Sequence, residues 1–131
     1  MKFIFAAEDT IFGIICGLLL IGLTGRFFTL KLGNFLYAAV FIIYVFFLLL
    51  DIINELRDLT THFGFIVFSL LHSAADSIIA LTAISHFSGW NIPYVTATFV
   101  PYMQNESIIF GLGIFLVAGN VLWLVLYPFL D

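Results

Sequence analysis

The sequence predicts an all-α integral membrane protein, an antiparallel bundle of four transmembrane helices. Three observations point there. Of 131 residues, 63% are hydrophobic and 9% are charged, whereas a soluble domain carries about a quarter charged residues. The apolar residues gather into four long runs, each near the roughly 20 residues that cross a bilayer as a helix. Asp76 lies inside one of these runs, between His62 and His86, where a carboxylate requires a protein interior around it in place of lipid. Four spans and their connections use almost the whole chain. A single transmembrane domain over 1–131 is expected, with no room for a soluble catalytic domain.

The first helix is expected over about 9–28. Glu8, Asp9 and Thr10 suit a helix start, where free N–H groups and the positive dipole end favour them. Arg26 and Lys31 close the segment at the interface. Gly13 and Gly17 sit one turn apart, with Gly22 and Gly25 beyond them. Small residues let helix backbones approach where lipid supplies no hydrophobic drive. Cys16 lies within this run as a small packing residue. As the single cysteine it excludes an intrachain disulfide. The apolar patch after Lys2 is too short for the core of a signal peptide, so the N-terminus reads as mature sequence.

The second helix is expected over 34–58, capped by Asn34 after Gly33. It is apolar to Leu50 and polar from Asp51. Tyr37, Tyr44, Asp51 and Asp58 recur every seven residues, with Glu55 four beyond Asp51, and so share one face. The third helix is expected over 61–86, with Thr60 and Thr61 as caps and His62 at its interfacial start. Ser69, Asp76 and Ala83 form one seven-residue series, and His72, Ile79 and His86 form an adjacent one. With Ser73 they give the helix one polar side, opposite a side of Phe, Ile and Leu. His86 suits the negative dipole end of this helix.

A connection over 87–104 holds Trp90, Pro93, Tyr94, Phe99, Pro101 and Tyr102, and no Lys or Arg. Such aromatic residues suit the headgroup layer. The segment either lies on that surface or is covered by protein, since bare irregular backbone in hydrocarbon is excluded. The fourth helix is expected over 105–127. Asn105, Glu106 and Ser107 cap it, a reading that equally explains their match to an N-glycosylation sequon. Pro128 marks its end. Gly111, Ala118 and Gly119 are its small packing positions, and Asn120 is an interhelical hydrogen-bonding residue.

A short turn makes helices two and three antiparallel neighbours. Counting back from it sets Tyr44 at the depth of His72 and Asp76, and Tyr37 near His86. Asp51 and Glu55 stand at the rim, giving a polar seam that runs from an acidic mouth to the membrane centre. Three roles fit this seam. The favoured one is a small accessory or structural subunit of a larger integral-membrane complex, respiratory or oxidative in kind, with a His72–Asp76 polar core. The second is a proton or small-cation channel or transporter through Glu55, Asp51, Tyr44, His72 and Asp76. The third is metal or haem binding. His72 and Asp76 could hold one ion from adjacent turns, with other ligands drawn from Tyr44, Asp51 or a partner chain. Separately, the fourteen-residue spacing of His72 and His86 resembles the histidine pair on one helix of membrane b-type cytochromes. That resemblance implies a haem whose opposing ligand comes from a partner.

Other classes are excluded. The net charge of −4 offers no basic surface for nucleic acid. No nucleophile elbow, phosphate loop, zinc-protease pattern or CxxC occurs, so the chain is expected to be non-catalytic by itself. Its expected partners are membrane lipids and either other integral-membrane subunits or copies of itself. Lys2 and Arg57 fall on one side of the membrane and Arg26 and Lys31 on the other. That balance leaves orientation to weaker signals, and both termini are read as outside.

Overall fold

A computed structural model describes the backbone of residues 2–57 and 63–130, and side chains at 10–53, 56, 67 and 69–125. The expectations for Asp58, Thr60, Thr61 and His62, and for the side chains of Glu55 and Arg57, lie outside the described residues. The expected helix start at Glu8, Asp9 and Thr10 is not found: the first helix begins at Lys2 and runs through all three without a break. Helices are the only regular elements among the described residues. Its elements are α1 (Lys2–Thr24), α2 (Asn34–Arg57), α3 (Phe63–Ser88), α4 (Val95–Phe99), a 3-10 helix (Val100–Gln104) and α5 (Glu106–Leu130). Three of the helices contain spans long and apolar enough to cross a membrane: Asn34–Ile53, Ser69–Ser88 and Glu106–Val125, each 20 residues. The described apolar part of α1, Thr10–Thr24, is shorter than a span.

The boundaries follow from local chemistry. α1 stops at Thr24 and does not reach residue 28, because Gly25 adopts φ 69°, the left-handed conformation that ends helices. The chain then folds back, and the Leu30 N–H donates to the Gly22 carbonyl at 3.1 Å. The Tyr37 hydroxyl pins this return, accepting from the Leu32 N–H at 3.0 Å and donating to the Leu30 carbonyl at 2.9 Å. At the start of α2 the cap is Gly33 and not Asn34. The Gly33 carbonyl takes the first N–H groups, from Leu36 and Tyr37, which is the role of the residue preceding the helix. Asn105 does cap α5: its Oδ1 accepts from the Ser107 N–H at 2.9 Å. Pro128 does not end α5, which continues to Leu130. A proline there loses one backbone hydrogen bond and crowds the carbonyl four residues back, a disturbance that membrane helices absorb through local adjustment of the backbone.

The connection after α3 is more regular than its composition suggests. The Ser85 hydroxyl donates to the Trp90 carbonyl at 2.6 Å, and Thr96 Oγ1 lies 2.7 Å from it. The Ile92 N–H donates to the same threonine at 2.8 Å. This clamp turns the chain into α4 and the 3-10 helix, whose Met103 is buried. At the same end, Arg26 ties the first connection to α5. Its Nε lies 3.3 Å from Glu106 Oε1, Nη2 donates to Ser107 Oγ at 3.0 Å, and the guanidinium sits 4.6 Å from the Phe110 ring centre.

The four long helices run antiparallel. α1 packs most extensively on α5, then α2 on α3 and α1 on α2, while α3 and α5 touch only lightly. The tight α1–α5 contact depends on absent side chains. A Cβ at Gly17 would stand 2.7 Å from the Gly113 carbonyl oxygen and 2.6 Å from Val117 Cγ2, and one at Gly113 would stand 2.9 Å from the Gly17 carbonyl. Gly111 and Ala118, expected as packing positions, are both exposed, and a Cβ at Gly111 meets nothing within 4 Å. Their face of α5 therefore packs against no helix of this chain among the described residues.

Candidate functional site: a polar cluster around Asp76

The register of α2 against α3 builds the site. Tyr44 lies in the middle of the α2 span, fully buried, and its hydroxyl donates to Asp76 Oδ2 at 2.8 Å. One turn before Asp76 on α3, His72 places Nδ1 3.3 Å from the same oxygen. The i, i+4 spacing brings those two side chains onto one face. The carboxylate thus gathers a phenol from one helix and an imidazole from another onto a single oxygen.

α5 closes the far side. The His72 ring stacks on Trp123, with centroids 5.6 Å apart and planes at 21°. Asn120 donates to the Leu116 carbonyl at 2.7 Å, and its carboxamide also interacts with Asp76. That carboxamide occupies the space a side chain at Gly13 would need. Gly119 leaves room beside His72 Nε2, which would lie 3.4 Å from an added Cβ. Cys16, fully buried on α1, lies within electrostatic reach of Asp76. All four long helices therefore line the cluster.

Asp51 and Ser69 are both buried. The antiparallel pairing that sets Tyr44 opposite Asp76 puts these two level with one another, one heptad nearer the α2–α3 turn. Ser73 is buried between Ser69 and Asp76. His86 does not join the cluster. It lies ten residues past Asp76, about 15 Å along a helix, and packs edge-on against Phe87 at 5.0 Å. Tyr37, expected near His86, stacks on Phe87 at 4.6 Å. Among the described residues no group of three or more His, Cys, Asp or Glu side chains is placed to hold a metal ion.

The buried polar residues of the core are distributed unevenly. Thr10, Asp51, Ser69, Ser73 and Asn120 lie level with Asp76 or nearer the end that carries the termini and the α2–α3 turn. Beyond Asp76 the core is Leu20, Phe41, Ala80, Ala83, Leu116 and Met103, all buried and apolar. Thr82 lies within this layer and Ser85 past it, and their hydroxyls are engaged by the Ile78 and Trp90 carbonyls. Buried polar side chains thus gather on the terminal side of Asp76, and apolar ones dominate beyond it.

Within the cluster, Asp76 Oδ1, His72 Nε2 and Ser77 Oγ are buried with no hydrogen-bond partner among the described residues. Buried polar atoms are nearly always paired, and exceptions gather where function requires them. Chemically, a carboxyl flanked by a phenol donor and an imidazole can take up a proton and pass it on: imidazole has two nitrogens, and only Nδ1 faces the carboxylate. Sequence spacing indicates Tyr44, His72 and Asp76. It gives no sign of Trp123 and Cys16, whose only mark is helical phase: Trp123 follows Asn120 by three residues and Cys16 follows Gly13 by three. No protein-family model matches the chain, and no curated protein or solved structure matches it.

Proposed function

We propose that the chain is a four-helix transmembrane bundle in which Asp76 is a proton-exchange site at the depth of the bilayer centre. The observation that carries this reading is the sharing of Asp76 Oδ2 by Tyr44 and His72 while Oδ1 and His72 Nε2 have no hydrogen-bond partner among the described residues. A carboxylate held only to fix helix register would be expected to satisfy both oxygens, because an unmatched polar atom in a dry core costs about 1–3 kcal/mol. The polar residues on one side of Asp76 favour access from the end bearing the termini, and the apolar layer beyond it disfavours a continuous open channel. A proton fits better than a metal cation, since the described carboxylates and imidazoles do not converge in threes. Both termini outside is the orientation this reading carries, and an impermeant reagent on a terminal tag tests it.

Infrared difference spectra of the reconstituted protein test the site. A pH jump is expected to change a carboxylic-acid C=O band in wild type that Asp76→Asn lacks. A titrating band that survives Asp76→Asn unchanged overturns the proposal.

A second reading, an accessory subunit of a larger membrane complex, is favoured by the outward position of Gly111 and Ala118. They lie seven residues apart on one face of α5 that nothing covers among the described residues. Native mass spectrometry of a mild membrane extract is expected to find a companion chain. A monomer with no companion counts against this reading.

A further inference from the structure

A second feature lies outside the Asp76 cluster, on the outer side of the α2–α3 hairpin. A trough of about 620 Å³ runs along α2 beside the C-terminal end of α3. Ala38 and Ala39 form its floor because they are small, and the Phe87 ring, stacked on Tyr37 at 4.6 Å, forms one side. Phe35 and Trp90 are the outer walls, 82% and 58% exposed. The Trp90 wall is fixed from behind. Its carbonyl accepts from Ser85 Oγ at 2.6 Å and its N–H donates to Ser88 Oγ at 3.1 Å.

We infer that this trough holds one hydrocarbon chain of a bilayer lipid. The inference rests on the membrane placement proposed above and is independent of the proton chemistry. Dimensions and polarity carry it. From Asn34 to Ile43 the trough follows nine residues of helix, about 14 Å at 1.5 Å each. One leaflet of a hydrocarbon core roughly 30 Å thick is about 15 Å deep. Polar groups stand at one end only, where Asn34, Ser88 and the Trp90 indole meet the aromatic connection. The Asn34 carboxamide and the Trp90 indole N–H have no partner among the described residues, so both are free to meet ester and phosphate oxygens. The opposite end, at Ile42 and Ile43, is wholly apolar. A chain lying with its head at Asn34 and its tail at Ile43 matches this gradient, and an aromatic wall at the head end is where Trp is favoured.

The test is photolabelling in vesicles of a phosphatidylcholine carrying a diazirine along one acyl chain, with labelled residues mapped by mass spectrometry. Label is expected to concentrate between Phe35 and Ile43 and at Phe87–Trp90, above the level on outward residues such as Phe46, Leu71 and Leu122. Ala39→Phe, which fills the floor, is expected to bring trough labelling down to that outward level while leaving Leu122 unchanged. Trp90→Ala, which removes an exposed wall without touching the core, is expected to do the same and guards against misfolding of the first variant. Uniform label over all outward faces, unaltered by either variant, overturns the site. A trough protected from lipid in a cross-linkable dimer also overturns it, in favour of a second copy as occupant. Absence of label everywhere, Phe46 and Leu122 included, refutes the membrane placement itself.

Discussion

Replacing Tyr44 with Phe removes one hydroxyl and nothing else, which makes it the sharpest probe of the buried cluster. Tyr44 is fully buried and its oxygen lies 2.8 Å from Asp76 Oδ2. After the change, that oxygen keeps His72, at 3.3 Å, with the Asn120 carboxamide beside the carboxylate, and Oδ1 has no geometric hydrogen-bond partner among the described residues. Removing one partner of a buried acceptor costs about 1–3 kcal/mol, while hydrogen bonds between membrane helices average nearer 0.6 with a maximum of about 1.7. The expected loss is therefore about 1–1.5 kcal/mol, near a tenfold shift in the folding equilibrium. No cavity correction applies, because the ring stays. Reversible unfolding in mixed micelles measures this loss, and Asp76→Asn completes a double-mutant cycle. A bond to a charged acceptor is about twice as strong as a neutral one, so Tyr44→Phe is expected to cost about half as much in the Asp76→Asn background. The resulting coupling of about 0.5 kcal/mol or more lies at the level such cycles resolve. Equal losses in the two backgrounds would refute the idea that this hydroxyl acts through the carboxylate.

Three further outcomes follow from the packing. Gly17→Ala drives a methyl to within 2.7 Å of the Gly113 carbonyl oxygen; backbone cannot yield as a side chain does, so a loss of about 1–3 kcal/mol is expected in the same unfolding assay. Gly111→Ala, which meets open space, is expected to be neutral or to stabilise by up to about 1 kcal/mol through helix propensity, and a matching loss at both glycines would contradict the α1–α5 interface. Arg26→Ala is expected to cost about 1 kcal/mol or less, most of it gone at high salt, because the ion pair to Glu106 is between side chains 43% and 59% exposed.

The parts of the molecule legible in the sequence are those fixed by local geometry. A constant rise per residue and a short turn set Tyr44 level with Asp76, since both lie a similar count from the α2–α3 turn. The seven-residue recurrence of Ser69 and Asp76, and of Tyr44 and Asp51, likewise reports shared faces that the fold keeps. The unread parts depend on contacts far apart in the chain. Asn120 and Trp123 reach the cluster only because α1 and α5 approach closely through Gly17 and Gly113, and the helical phase that Gly113 shares with Asn120 does not say which helix it meets. The same limitation applies to Gly111 and Ala118: residue size marks them as packing positions, but only tertiary placement tells inward from outward. At the ends of α1 and α2 the error is smaller and chemical. Gly25 outweighs two further apolar residues in stopping α1, and a glycine carbonyl serves as the cap that a neighbouring asparagine was expected to supply.

The most intimate contact in the molecule joins its first helix to its last, and this has a consequence for how the chain matures. As synthesis proceeds, α1 leaves the ribosome with a notch at Gly13 and Gly17 shaped for a partner that does not yet exist, while α2 and α3 can pair almost at once. Closure must wait for α5, so the carboxylate on α3 passes through a stage in which one flank is unsealed. Ordering contacts of such long sequence separation is slow, and until it is complete the α2–α3 hairpin holds its carboxylate without the flank that α5 supplies.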